Sequence, residues 1–183
     1  RLGARVRLFG EYYDPFQIGL GGYIWLPTAT DNDFIGSGVR GQAQVLIGGR
    51  VDRFIYTVMV GPEFRQPQTL GNVTLGHQFD WGAGVGVLLG DKRQFQIGLE
   101  STGGVTLTDA NVRSTNAEAL AGLKYRIISP SEIGAGVGPG FTSGVGTPDV
   151  RAVFNLFYTP EPEKPDQDSD GDGIFDKVDA CPH

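Results

Sequence analysis

Five aspartates near the C-terminus are spaced as the ligands of a hard cation. Counted from Asp168, carboxylates stand at positions 1, 3, 5, 9 and 12 of a loop (Asp168, Asp170, Asp172, Asp176 and Asp179), with Gly173 at position 6. Ca2+ is held by roughly six to eight oxygens, and a glycine at the sixth position permits the sharp turn that brings the backbone carbonyl of the seventh, here Ile174, into the shell. An acidic linker that merely solvates itself has no reason to combine this spacing with that glycine. The sequence therefore predicts a Ca2+ site built from Asp168, Asp170, Asp172, Ile174, Asp176 and Asp179.

Other constellations carry less. The imidazoles are His77 and His183, and a general base must lie within hydrogen-bond reach of the group it serves. His77 is three residues from Asp80, which sets the two on opposite faces of a strand, and no nucleophile is partnered with either. Gly82-Ala83-Gly84-Val85-Gly86 has the glycine content of a phosphate loop. It lies inside an alternating segment with no helix after it, so small side chains on one strand face explain it better. No catalytic residue is expected, and the chain does not read as an enzyme.

The scaffold is read from composition and period. Of 183 residues, 29 are Gly, one is Cys and 20% are charged, the profile of a folding chain rather than a disordered one. Residues 160–183 hold eight acids against two bases, the whole formal charge of −6, while residues 1–159 balance thirteen against thirteen. Without a basic surplus no nucleic-acid partner is expected. No apolar run approaches the roughly 18 residues that a membrane-spanning helix needs. Arg1 opens inside an alternating pattern without an initiator Met or signal peptide, so further N-terminal sequence is expected. The lone Cys181 is either free or paired beyond His183.

From Leu2 to Tyr158 the period is two, which puts alternate side chains on opposite faces of a strand. Leu2, Ala4, Val6, Leu8 and Tyr12 oppose Arg5, Arg7 and Glu11. Phe16, Ile18, Leu20, Ile24 and Leu26 oppose Gln17, Gly19, Gly21 and Tyr23, and Val39, Ala43, Val45 and Ile47 oppose Arg40, Gln42 and Gln44. Segments near 53–65, 77–89, 94–107, 117–127, 132–141 and 149–158 repeat the pattern, and none reads as a helix. The result is nine strands of about ten to fourteen residues. Strands of a soluble sandwich average about 5–6 residues, whereas tilted membrane strands need about 9–11. Polar faces that mix Arg, Glu, Gln and many glycines also suit a crowded, hydrated lumen. The expected fold is all-β, an antiparallel transmembrane β-barrel.

Connection lengths alternate. Those at 14–15, 50–53, 90–93 and 128–132 are short, and those at 27–38, 66–76, 108–116 and 142–148 are longer, the arrangement of an outer-membrane barrel with tight periplasmic turns and long outer loops. The last strand then descends and delivers the acidic tail to the periplasm. Nine is odd, and a sheet left open in hydrocarbon strands N–H and C=O groups at several kcal/mol each, so at least ten strands are expected in the complete protein. Aromatics near strand ends are expected to form girdles: Tyr12, Phe16, Phe54, Phe95, Tyr125 and Tyr158 below, Trp25, Phe64, Phe79 and Phe141 above. On the polar side Arg5, Arg7, Arg40, Arg65, Lys124, Arg126 and Arg151 confront Glu11, Glu63, Asp80, Glu100, Glu118 and Glu132. Such a lumen either closes by ion pairing or conducts small solutes, according to a diameter set by the strand total. The outer loop at 28–38, with Asp31, Asn32 and Asp33, offers a place for a surface partner.

After Tyr158 the chain becomes Thr159-Pro160-Glu161-Pro162-Glu163-Lys164-Pro165, an extended linker stiffened by proline. The acidic loop then continues as Ala180-Cys181-Pro182. Residues 168–182 resemble a thrombospondin type 3 repeat, whose pattern is D-x-D-x-D-G-x-x-D-x-x-D-x-C-P. A β-barrel followed by such a linker and repeat resembles a subgroup of OmpA-family outer-membrane proteins. The resemblance implies a barrel over 1–159, its N-terminal strand or strands preceding Arg1, a linker over 160–167 and a calcium-binding repeat over 168–183. It further implies a downstream periplasmic domain that binds peptidoglycan and a partner for Cys181 there. The implied role is a structural tether between outer-membrane lipid and peptidoglycan in the envelope of a Gram-negative bacterium. The alternatives are a general diffusion porin and a secreted, calcium-dependent β-sandwich adhesin. Chelating Ca2+ should raise protease cleavage within 160–183 while residues 1–159 stay intact, as read by limited proteolysis and mass spectrometry; cleavage indifferent to chelator would argue against the site.

Overall fold

The computed structural model describes residues 1–27, 38–70, 73–108, 112–128, 130–144 and 146–158. Branched and aromatic side chains at alternate positions favour extended backbone, and the described residues form eleven strands. They are β1 (Leu2–Phe9), β2 (Gln17–Trp25), β3 (Arg40–Val51), β4 (Phe54–Arg65), β5 (Gln68–Leu70), β6 (Val73–Leu75), β7 (Gln78–Leu89), β8 (Phe95–Thr106), β9 (Thr115–Ile128), β10 (Ser131–Pro139) and β11 (Val150–Tyr158). Nine of them make one sheet in the order β1-β2-β3-β4-β7-β8-β9-β10-β11, all pairs antiparallel. These are the nine strands that the alternation predicts, and they run from 8 to 14 residues. The segment expected as the 66–76 loop instead contains β5 and β6, a separate two-stranded hairpin. Among the described residues the one helical element is a 3-10 turn at Val112–Ser114.

Short connections fix the register at one end of the sheet. β3 and β4 are joined by Asp52-Arg53, and Asp52 takes φ 51°, the left-handed conformation that tight hairpins demand. Arg93, in the turn between β7 and β8, reaches Asp52 Oδ1 at 2.7 Å and ties two neighbouring turns together.

The register is oblique. From Val6 in the middle of β1, successive partners are Leu20, Val45, Val60, Trp81, Gly103 and Ala117. The row then leaves β10 at its loop end, where Phe141 N–H donates to the Ala117 carbonyl. From Phe154 in the middle of β11 the row runs through Ala135, Leu123, Ile97, Val87, Phe54 and Val51, and leaves the sheet at its turn end. Averaged along the row, each strand is thus displaced along its neighbour by roughly one residue, the net shift running in one sense. With the usual strand rise and spacing this is a tilt of about 35°. Among the described residues β1 pairs only with β2 and β11 only with β10.

Burial is inverted relative to a water-soluble protein. Gln44 and Glu63 are each 5% exposed, whereas Leu99 is 61%, Phe154 69% and Leu156 75% exposed. Among the described residues the buried apolar side chain is Leu75, in the small hairpin rather than the large sheet. One face of the sheet is a continuous apolar surface, and the other is polar. Trp25 departs from its expected place in a girdle. Its ring lies with Tyr23, centroids 6.1 Å apart, and the guanidinium groups of Arg1 and Arg40 stand 4.9 and 5.3 Å from its centre, which puts it on the polar face, as its odd number in β2 dictates.

Two strands carry a Gly-Pro step, and both steps interrupt the ladder alike. A proline has no N–H to donate. Pairing of β3 with β4 stops at Gln42↔Glu63 and resumes at Val45↔Val60, across from Gly61-Pro62. Pairing of β9 with β10 stops at Ala121↔Val137 and returns as a single bridge, Glu118↔Gly140, beyond Gly138-Pro139. The backbones close in where a ladder bond is absent: a Cβ on Gly61 would lie 1.8 Å from the Ala43 carbonyl oxygen, and one on Gly138 the same distance from that of Ala119. Gly61→Ala should therefore lower stability by about 1–3 kcal/mol. Gly41→Ala, where a Cβ meets nothing within 4 Å, should leave the urea midpoint of the folded chain unchanged.

Candidate functional site

Alternation and register together build a polar layer. Arg40, Gln42 and Gln44 of β3, Glu63 and Arg65 of β4, and Gln78 and Asp80 of β7 share one face, and the partners Gln42↔Glu63↔Gln78 and Gly61↔Asp80 draw them into one patch near the long-loop end. Asp80 is its hub. Gln42 Nε2 donates to Asp80 Oδ2 at 2.7 Å and Gln78 Nε2 to Oδ1 at 2.5 Å. Gln44 Nε2 extends the chain by donating to Gln42 Oε1 at 2.8 Å. Arg65 donates from Nη2 to Gln78 Oε1 at 2.7 Å and from Nε to the Gly76 carbonyl at 2.8 Å. A carboxylate withdrawn from water must recover its lost hydration from such donors.

Glu63 is the most enclosed carboxylate of the patch. Its Oε1 lies 3.7 Å from Arg40 Nη1 and 3.9 Å from Arg65 Nη1, which is Coulombic contact without a close hydrogen bond. Glu63 Oε1 and Arg40 Nε are buried without a hydrogen-bond partner. Two guanidinium groups around one carboxylate hold it by charge rather than by fit.

A second set of pairs occupies β8 to β11. Arg126 donates from Nε and Nη2 to Glu132 Oε1, both at 3.0 Å. Arg151 Nε donates to Glu118 Oε2 at 2.8 Å, and Lys124 Nζ lies 3.8 Å from Glu100 Oε1. The Lys124 ammonium also stands 5.2 Å from the centre of the Phe157 ring. Gln96, Glu100, Lys124, Asn155 and Phe157, with glycines between them, line a hollow of about 260 Å3. At the turn end Arg7 pairs with Glu11 at 3.1 Å, and both are well exposed.

The Gly-Pro steps serve this layer. Gln42 on β3 reaches Asp80 on β7 over the intervening β4, and Gly61, the residue paired with Asp80, leaves that path clear. Arg151 on β11 reaches Glu118 on β9 over β10, where Gly138 is paired with Arg151 and Gly140 with Glu118. A side chain on the middle strand would stand between the partners in each case.

The expected calcium ligands Asp168, Asp170, Asp172, Ile174, Asp176 and Asp179 lie outside the described residues, as do the linker, Cys181 and the outer-loop residues Asp31, Asn32 and Asp33. Among the described residues no three His, Cys, Asp or Glu side chains converge as a metal site would require. His77 sits at the long-loop end against Phe64, ring centroids 5.8 Å apart, and its Nδ1 accepts from the Arg65 N–H at 3.4 Å. Of the charged residues expected to confront one another, Glu11, Glu63, Glu100, Glu118 and Glu132 meet bases, Asp80 meets the amides Gln42 and Gln78, and Arg5 meets the Tyr23 hydroxyl rather than a carboxylate. Sequence reading missed the role of the amides Gln42, Gln44 and Gln78 as donors around Asp80, and the stacking of Arg1 on Tyr23 at 3.9 Å. Their odd or even position marks the face, but the partner depends on register.

No family model matches the chain, and no curated protein matches it.

Removing the hub carboxylate leaves two amide donors facing each other in a confined patch. Asp80→Ala should cost about 1–3 kcal/mol, and a double-mutant cycle with Gln42→Ala should return a coupling energy above the error of urea unfolding. In the same assay Arg7→Ala should change stability by less than about 1 kcal/mol, because its pair with Glu11 is solvated.

Proposed function

We propose that the chain is an outer-membrane β-barrel protein whose acidic C-terminal segment is a calcium-binding tether on the periplasmic side. The observation that carries this reading is the inverted burial, with Glu63 and Gln44 enclosed and Leu99, Phe154 and Leu156 open. Leaving such an apolar surface in water is costly at about 25 cal/mol per Å2, and in hydrocarbon that cost disappears. Three further features support it. Nine strands of 8 to 14 residues suit an apolar core crossed at a tilt. The one-directional stagger supplies a tilt within the range that closure requires, about 35–45°. Turns and longer connections alternate.

An odd number of alternating strands makes β1 and β11 parallel to one another. A single further strand, antiparallel to both, would close the barrel with an even total of at least ten. The tail assignment rests on the ligand spacing from Asp168 to Asp179 and on the resemblance of that segment to a thrombospondin type 3 repeat. Bound calcium would neutralise carboxylates that otherwise repel and turn a loose tether into a short rod. Peptidoglycan would then be reached through a module beyond this segment, with no catalytic step. The pairing of acids and bases across the polar face favours this structural role over that of an open diffusion pore.

Purified chain should remain monodisperse only in detergent and migrate differently in gels before and after boiling, with little conductance in planar bilayers. Stable single-channel conductance would support the porin reading. A monomer soluble without detergent would overturn the membrane assignment and favour a secreted calcium-dependent adhesin.

A further inference from the structure

Acids and bases are not evenly spread over the polar face. The residues of β1, β2 and β3 include no Asp or Glu, yet they carry Arg5, Arg7, Arg40 and Arg50. The carboxylates of the large sheet, Glu63, Asp80, Glu100, Glu118 and Glu132, stand on β4, β7, β8, β9 and β10. There they meet Arg65, Lys124, Arg151 and Arg126, and Glu63 also meets Arg40 of β3. The wall of β4 to β11 is balanced, whereas Arg5, Arg7 and Arg50 stand on strands that carry no acid.

The wall of β1 to β3 contains a cavity of about 470 Å3 reaching to β4, lined on the polar face by Arg5, Arg7, Gln17, Leu46 and Thr57, with Gly19 and Gly48 leaving its floor open. No carboxylate lines it. Arg5 spends Nε on the Tyr23 hydroxyl, and its guanidinium lies 5.4 Å from the centre of that ring, so the fork is held in place. Among the described residues its two Nη atoms have no protein acceptor. Arg7 is engaged by Glu11, a carboxylate 82% exposed that competes weakly for it.

We propose that this cavity binds a small oxyanion of the phosphate class. Two guanidinium groups at successive positions on one face of β1 offer several N–H donors to tetrahedral oxygens, and the Thr57 hydroxyl on the cavity lining is a neutral donor. No carboxylate lines the cavity, so the rival the anion meets is the exposed Glu11 on Arg7. The proposal rests on the reading of the polar face as the wall of an aqueous lumen, because a ligand must reach it from water.

The test is titration of the detergent-folded chain with inorganic phosphate, followed by isothermal calorimetry, with gel migration before and after boiling recorded for every variant. Phosphate should bind, and affinity should fall with added salt. Arg5→Gln with Arg7→Gln should weaken it by about tenfold or more, Arg5→Lys with Arg7→Lys by less, and Arg151→Gln on the balanced wall not at all. If the double Gln variant fails to fold, Arg5→Gln alone decides, since Arg5 makes no ion pair among the described residues. Absence of phosphate binding by heat-modifiable wild-type chain, or binding indifferent to Arg5 and Arg7, overturns the site and leaves the barrel reading standing. A chain that needs no detergent overturns both.

Discussion

Every strand of the large sheet separates two environments, and the rest of the structure follows from keeping them apart. A residue on the polar face brings donors and acceptors that must be satisfied, while its neighbour in sequence brings a side chain that makes no hydrogen bond. Because the period is two, a slip of one residue would exchange the faces completely and put Glu63 or Asp80 among Phe54, Val85 and Leu99. Register is therefore specified with unusual force in this fold. The tight turns that set it, such as Asp52-Arg53, matter as much as any contact in the sheet.

That separation explains where the polar groups find partners. A flat sheet offers a side chain only its lateral neighbours, and these are too few to satisfy a buried carboxylate. The chain solves this by skipping strands. Gln42 reaches Asp80 over Gly61, and Arg151 reaches Glu118 over Gly138 and Gly140, so a glycine on the middle strand joins polar groups two strands apart. The following proline withholds a ladder donor at the same place, which lets the backbones approach more closely there. The same two-residue step thus trades a backbone hydrogen bond for a side-chain bridge between strands that are not adjacent.

Much of the fold was legible because period two is a local signal that no distant contact can mimic. It located nine strands and assigned nearly every side chain to a face. Trp25 shows the cost of weighing residue type above position: an aromatic near a strand end reads as interfacial, yet its parity in β2 places it with Tyr23, Arg1 and Arg40. The hairpin of β5 and β6 was hidden inside a loop because three-residue strands are too short to establish a period. The charge pairs were legible as a set, but Arg126 with Glu132 and Arg151 with Glu118 required the register between strands. Register depends on turn lengths and bulges that the alternation does not encode.

The uneven charge of the polar face bears on how a lumen would behave. A wall in which Glu100, Glu118 and Glu132 each hold a base is already neutralised and offers an anion little net charge. Closing an ion pair ties two long side chains into one position, which suits a filled, rigid interior. The opposite wall lacks acids on its strands, so Arg5 must be held by an aromatic hydroxyl instead. A tyrosine anchors a guanidinium without cancelling its charge, whereas a glutamate in the same position would do both. Arg5 is thus fixed in place without a carboxylate beside it, and that distinction separates a wall of closed ion pairs from one able to attract an anion.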